Sequence, residues 1–320
     1  MNENSTASTL RRHEKYDRLI AAAKSLKPIA TAVAHPCDES SLKGAVEAGE
    51  AGLIKPILVG PRSKIAAVAK EFSLDLGNIE IVDVPHSQAA AEKAVELVRT
   101  GKADLLMKGS LHTDELLSEV MKRETGLRTG RRVSHVFVMD VPGHAQTLFI
   151  TDAAVNIAPD LVSKRDIIQN AIDLFAGLGL GTPKVAILSA VETVTPTIPS
   201  TIEAAALCKM ADRGQITGGE LDGPLAFDNA ISPEAARIKG IKSPVAGLAQ
   251  ILVVPDLEAG NMLAKNLTFL SHADAAGIVL GARVPIILTS RADHVRTRMA
   301  SCAVAALFRH SQMAKQPIGA

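Results

Sequence analysis

The sequence predicts an α/β protein built on a mainly parallel β-sheet with helices on both faces, and three observations predict it. Short apolar runs alternate with longer amphipathic stretches along nearly the whole chain. The short runs are near-continuous in Val, Ile, Leu and Ala, the pattern of strands buried on both sides. Hydrophobic residues make up 47% of the 320, enough for a sizeable core. Aromatics are only 2%, with no Trp and one Tyr (Tyr16), so that core is aliphatic.

Taken in order, residues 1–8 are polar, and 10–26 read as a helix with Leu19, Ile20 and Ala23 on one side. Strand-length runs follow at 29–34, 56–59, 79–84, 104–107, 133–139, 147–151, 185–188, 251–254, 278–280 and 286–288. Helical stretches lie between and after them at 40–51, 63–72, 87–99, 114–122, 164–175, 201–211, 233–239, 258–270 and 295–308. Runs 133–139 and 147–151 are separated only by Asp140 to Gln146, too short for a crossover helix, so this pair is predicted antiparallel. At roughly 150 residues per domain the length suggests two domains. The sharpest change in composition, the Gly- and Arg-rich stretch 127–132, is the expected boundary.

Composition excludes several classes. Lys plus Arg is 35 against 34 Asp plus Glu, a net charge of +1, which argues against a nucleic-acid partner and against a charged disordered tail. The scarcity of aromatics argues against a single-strand stacking platform. Three widely spaced cysteines (Cys37, Cys208, Cys302) form no disulfide framework or zinc motif and fit a reducing compartment. The nine histidines show no HExxH or H-x-H spacing, so no metal site is expected. The first 27 residues hold no apolar signal-peptide core, and the longest stretch without Asp, Glu, Lys or Arg is the 13 residues 243–255, too short to span a bilayer. The expectation is a cytoplasmic protein with no membrane partner.

In parallel sheets ligands sit where strands end, so the loops after strands are where chemistry is sought. Five stand out. In the first, Met107 to Glu115, Gly109 permits close backbone approach, and Ser110, Thr113 and the helix-start N–H groups suit an anionic phosphate. The same residues serve equally as a helix cap, with Thr113 capping and Asp114 and Glu115 meeting the dipole. The second, Thr151 to Pro159, offers Asn156 to a small ligand with Asp152 to orient it, or simply forms a turn. The third, Asp222 to Ala230, carries two aspartates, Asp222 and Asp228, in a run of turn formers. The fourth, Pro255 to Lys265, places Gly260 and Asn261 inside the first turns of a helix. Gly there costs about 1 kcal/mol relative to Ala, which points to a close approach of backbone or ligand. The fifth, Pro285 to His294, delivers Ser290 as a hydroxyl donor, Arg291 as a fixed cation for phosphate oxygens and Asp293 as a carboxylate able to act as a base or a helix cap. The basic run 122–132 is read as a solvated face that is also able to attract a polyphosphate.

Together the segments LLMKGSLHTDELL, TDAAVNIAP, LSAVETVTPTIPST, DGPLAFDNAIS, PDLEAGNMLAKNL and VPIILTSRAD resemble the phosphate acetyltransferase/phosphate butyryltransferase family, in order and spacing over more than 200 residues. The resemblance implies two α/β/α domains of the isocitrate/isopropylmalate dehydrogenase-like superfold, a cleft between them and a homodimer. It implies domain I as 1–131 plus 282–320 and domain II as 132–281. The implied reaction is acetyl-CoA + phosphate ⇌ acetyl phosphate + CoA, by direct thiolate attack in a ternary complex. Coenzyme A is then a substrate and no cofactor is bound. The implied catalytic set is Ser290, Arg291 and Asp293. Phosphate is expected on Ser110, Thr113 and Arg291, and the CoA substrate on Asn156, Gly260 and Asn261.

Three alternatives stand beside this reading. The S-R-A-D spacing and the MKG start are closer to butyryltransferase-like members, which makes butyryl-CoA the alternative substrate. A metal- and NAD-dependent dehydrogenase of the same superfold would draw on Asp222 and Asp228. A non-catalytic sensor would keep the cleft without the chemistry.

Overall fold

The computed structural model describes residues 14–288 and 295–315. Its elements follow in chain order: α1 (Glu14–Lys24), β1 (Ile29–Ala34), α2 (Glu39–Glu50), β2 (Ile54–Gly60), α3 (Arg62–Glu71), β3 (Glu80–Asp83), α4 (Ser87–Arg99), β4 (Leu105–Lys108), α5 (Thr113–Val120), β5 (Ser134–Asp140) and β6 (Leu148–Thr151). Then come α6 (Leu161–Gly177), β7 (Lys184–Leu188), α7 (Pro199–Asp212), β8 (Glu220–Leu225), α8 (Phe227–Ile231), α9 (Pro233–Ile238), β9 (Ile251–Val253), α10 (Leu257–Leu270), β10 (Asp274–Leu280), β11 (Ile286–Ile287) and α11 (Val295–Lys315).

These strands form one sheet in the order β3-β2-β1-β4-β11-β10-β5-β6-β9-β7-β8. The flank from β3 to β11 is parallel throughout, as is the flank from β6 to β8. Between them β10 runs antiparallel to both β11 and β5, and β5 antiparallel to β6. The antiparallel β5–β6 pair is as the short connection requires. The antiparallel placement of β10 is a correction to the expectation of a parallel strand there. A further consequence is that the two parallel flanks run in opposite directions, so their carboxyl ends lie at opposite ends of the sheet.

β8 and α8 are also corrections. Segment 220–231 is dense in turn formers, yet its first half is a strand. Gly223 makes this possible, because a Cβ there would stand 2.7 Å from the Ile187 carbonyl of β7. Pro224 is tolerated because β8 is the edge strand of the sheet.

The core is divided unevenly between the two faces. On one face, residues of α1, α2, α3, α6, α7 and α11 make a single cluster with inward residues of both flanks and of the strands between them, among them Val33, Leu58, Val136, Ile187 and Ile278. On the opposite face two separate clusters form. One joins α4 and α5 to β1, β4 and β11; the other joins α8, α9 and α10 to β6, β7 and β9. The helical layers of that second face therefore part over β10 and β5. Side chains alternate along a strand. Since Val136 and Val138 face the continuous core, His135 and Phe137 face the seam between the other two.

The one tyrosine anchors α1. Tyr16 is fully buried; its hydroxyl donates to the Val138 carbonyl at 2.5 Å and accepts from the Ala276 N–H at 2.5 Å. Beside it Lys15 pairs with buried Asp140 at 2.7 Å.

Candidate active site

The exit of β4 lies beside that of its parallel neighbour β1. Gly109 N–H donates to the Ala34 carbonyl (2.9 Å) and Ser110 N–H to the His35 carbonyl (2.9 Å), so the chain leaving β4 lies against the chain leaving β1. A Cβ on Gly109 would stand 2.3 Å from the Ala34 oxygen and 2.6 Å from the His35 carbonyl carbon, a space open only to glycine. His35 itself has φ 55°, the left-handed region. Its Nδ1 lies 2.9 Å from Ser110 Oγ, which in turn donates to the His35 carbonyl at 2.8 Å. With its own proton directed to that carbonyl, Ser110 Oγ accepts a hydrogen bond from Nδ1–H of the neutral His35 ring. Burial and the neighbouring Lys64 cation lower the His35 pKa, which keeps it so. Burial likewise pushes the nearby Cys37 thiol up to about 11.

The start of α5 differs from the expected cap. The capping position is His112, without a side-chain hydrogen bond, and Thr113 is the first helical residue. The first-turn N–H groups thus receive no side-chain cap. Asp114 and Glu115 sit in that turn, and the buried Lys108 brings a cation to the same loop, its Nζ 3.2 Å from the Gly109 carbonyl.

The exit of β6 is a different construction. Both Asp152 carboxylate oxygens are engaged. Oδ1 accepts from Ala154 N–H and Val155 N–H at 3.0 Å each; Oδ2 accepts from Asn156 N–H at 3.2 Å and Asn156 Nδ2 at 2.6 Å. Asn156 is buried and also fully used, donating to the Val133 carbonyl (2.9 Å) and accepting from Arg132 Nε (2.7 Å). Asp256 caps α10 by accepting from Ala259 N–H at 2.8 Å. The penalty at Gly260 is explained by close approach of backbone: a Cβ there would meet Val254, Ala153 and the Asp152 carbonyl within 3.0 Å. Asn261 Nδ2 donates to the Ala153 carbonyl at 3.2 Å.

The structure thus brings Asn156, Gly260 and Asn261 together, and brings Ser110 and Thr113 together elsewhere. Four strand spacings of about 4.8 Å separate β4 from β6, and the two strands leave the sheet at opposite ends, so the two groups stand apart. Ser290, Arg291 and Asp293 lie outside the described residues; they follow β11, the neighbour of β4. Asp222 and Asp228 turn to separate partners, Asp222 to the Gly223 N–H and Asp228 to Lys239. Among the described residues no group of three or more His, Cys, Asp or Glu is placed to hold a metal ion. The basic run is largely tied down by Lys122 to Glu119, Arg131 to Asp173 and Arg132 to Asn156.

Sequence reasoning passed over His35, Lys108 and His135. Lys108 stands inside the MKG segment. His35 follows the first strand as Gly109 follows the fourth. His135 is the one ionisable side chain before Asp140 in an otherwise apolar strand.

Among the described residues no helix is long and apolar enough to cross a membrane. Residues 86–306 match the family model described as "Phosphate acetyl/butaryl transferase". The chain is 76% identical to a phosphate acetyltransferase of Rhizobium meliloti, over 94% of this chain and 96% of that one. It is 45% identical to a phosphate butyryltransferase of Clostridium acetobutylicum, over 89% and 94%. Its structure superposes on a branched-chain phosphotransacylase from Enterococcus faecalis with a TM-score of 0.76 at 32% identity, covering 88% of this chain and 99% of that one. A 4-hydroxythreonine-4-phosphate dehydrogenase from Burkholderia phymatum matches at a TM-score of 0.53 and 14% identity over 88% and 98%, a likeness of fold alone, that of the isocitrate dehydrogenase-like superfold. A family model over more than half the chain, and relatives this similar over nearly all of it, mean that the chain belongs to the phosphate acetyl/butyryl transferase family of acyltransferase enzymes.

Proposed function

We propose that this protein is a phosphate acetyltransferase, interconverting acetyl-CoA plus phosphate with acetyl phosphate plus CoA. The observation that carries this reading is the 76% identity, over 94% of the chain, with a relative of that name. Supporting it is the β4 exit, where glycine, an uncapped helix start and a buried lysine suit an anion.

Asp293 takes the proton of the CoA thiol, whose ordinary pKa lies above neutrality. The thiolate attacks the acetyl carbonyl, a C–S bond forms, and the C–O bond to phosphate breaks. In the reverse direction a phosphate oxygen attacks the thioester and CoA leaves as thiolate. Negative charge gathers on the carbonyl oxygen and the phosphate, and Arg291 and Ser290 stabilise it. Thr113 and the N–H groups near Ser110 hold the phosphate. Ser110 contributes chiefly through its backbone, since its hydroxyl is engaged with His35. Asn156, Gly260 and Asn261 shape the loop beside the CoA rather than lending it free hydrogen-bonding groups, because the two side chains already bond Val133, Arg132 and Ala153. No covalent enzyme intermediate is required, since holding both substrates in one cleft suffices.

We take 1–131 with 282–320 as domain I and 132–281 as domain II, with the substrate cleft at the seam where the helical layers part. The functional unit is a homodimer. Free Cys37, Cys208 and Cys302 suit the reducing cytoplasm.

The second reading is butyryl transfer, favoured by the S-R-A-D spacing and by the 45%-identical butyryltransferase relative. A panel of acyl-CoA chain lengths assayed for phosphate-dependent thiol release decides between them. The expected result is the highest kcat/KM with acetyl-CoA. Highest kcat/KM with butyryl-CoA would replace the acetyl reading, and thiol release independent of phosphate would end both.

A further inference from the structure

β11 is only two residues long, and Leu288, which follows it, is the last described residue before Ser290, Arg291 and Asp293. Its N–H donates to the Gly277 carbonyl of β10 at 3.2 Å. Gly277 is enclosed from its other side. A Cβ built on it would stand 2.5 Å from the Leu288 carbonyl oxygen and 3.0 Å from Nε2 of His135. The obstacle at 2.5 Å is backbone, so any side chain at 277 must displace the chain at Leu288. The strand twist and the ladder alone do not demand this closeness, since glycine within a strand weakens it.

His135 completes the seat. It stands on β5 opposite Val279, on the face where the two helical clusters part, with its ring edge-on to Phe137 at a centroid distance of 4.3 Å. It is 1% exposed, and its Nδ1 has no hydrogen-bond partner. A buried polar atom without a partner is destabilising. A leucine would fill an apolar seam without that cost. Burial lowers the His135 pKa to about 4, so the ring is held neutral and adds no charge that would offset the cost.

We propose that Gly277 and His135 are positioning residues for the acyl transfer, forming a seat that fixes where the chain leaves β11 and so where Ser290, Arg291 and Asp293 begin. The proposal rests on the assignment of the chemistry to those three residues, and its test keeps the two apart. Neither residue touches substrate; Gly277 acts through the backbone at Leu288, and His135 acts through its packing against Gly277.

The test compares Gly277→Ala, His135→Leu, Val279→Ala and Arg291→Ala by thermal melting and by steady-state thiol release with acetyl-CoA and phosphate varied separately. Val279→Ala is the control for core damage, as it lies on the same strand and face but pairs with Ile286 rather than with the residue that leaves β11. Gly277→Ala is expected to lower kcat at least tenfold with the acetyl-CoA KM changed less than threefold. His135→Leu is expected to lower kcat three- to tenfold while Tm stays level or rises, a combination that a merely structural residue does not produce. Val279→Ala is expected to lower Tm with kcat within twofold. If Gly277→Ala does not fold, the His135→Leu arm decides. The proposal is overturned if either folded variant keeps kcat within twofold of wild type while Arg291→Ala is inactive. It is overturned together with the assignment beneath it if Arg291→Ala itself keeps full activity.

Discussion

The exits of β4 and β6 use similar residue types to opposite ends. Each is a strand end followed by small and polar residues, and each is met by a glycine in close contact, Gly109 against the chain leaving β1 and Gly260 of α10 against the chain leaving β6. At β6 the polar groups turn inward: Asp152 accepts four N–H bonds, three from backbone and one from Asn156, which also bonds Val133 and Arg132, so the loop is a bracket closed on itself. At β4 the side chains secure the contact with the chain leaving β1 and leave the first turn of α5 without a side-chain cap. Polar residues at a strand end are thus a weak guide to chemistry; what matters is whether the loop consumes its own hydrogen-bonding capacity.

The comparison is broken most directly at Gly109 and Asp152. Gly109→Ala forces Ala34 and His35 apart, so acetyl transfer should fall at least ~100-fold, a loss of about 3 kcal/mol in transition-state stabilisation. Steady-state kinetics on the folded fraction checks this. Removing the bracket at β6 acts on stability instead. Asp152→Ala strands buried N–H groups and should cost about 3 kcal/mol of folding free energy in urea melts, with the phosphate KM of the folded enzyme unchanged. A phosphate KM raised tenfold by Asp152→Ala would erase the distinction between the two loops.

A third expectation concerns pH. His135 has a folded pKa of about 4, below its ordinary 6.5, so the unfolded chain binds the extra proton between those values. Stability should therefore rise from pH 4 to pH 6.5 and gain nothing further from this group above that. Melting of His135→Leu across the same range should show a shallower slope, and an identical slope would mean the imidazole titrates normally. The smallest effect is expected at Thr113→Ala. The phosphate KM should rise about three- to tenfold, the value of one hydrogen bond, with Tm nearly unchanged because Thr113 is the first helical residue and not the cap.

Much of the fold was legible in the sequence because aliphatic runs buried on both faces leave a continuous signal. β1 and α4 match their expected limits, 29–34 and 87–99, residue for residue. Where the signal failed, contact between distant segments decided. Gly223 and Pro224 read as a turn, but the proximity of Ile187 makes them a strand. β10 has the composition of a parallel strand, and only its pairing with β5 fixes its direction. The family motifs marked the β4, β6 and β9 exits, yet no local pattern separates the inward-turned Asn156 from a ligand-facing one. His35 and His135 carry no motif; their significance lies in Ser110, Gly277 and Leu288, remote in sequence and adjacent in space.

In the proposed reaction a cation following β11 and the β4 exit beside it serve one phosphate. Titrating phosphate against initial rates of thiol release from acetyl-CoA, for wild type and Arg291→Ala, tests it most directly. Phosphate-dependent release is expected in the wild type. In the variant a raised phosphate KM and a kcat lowered by roughly 100- to 1000-fold are expected. Unchanged phosphate saturation and turnover in Arg291→Ala would contradict it.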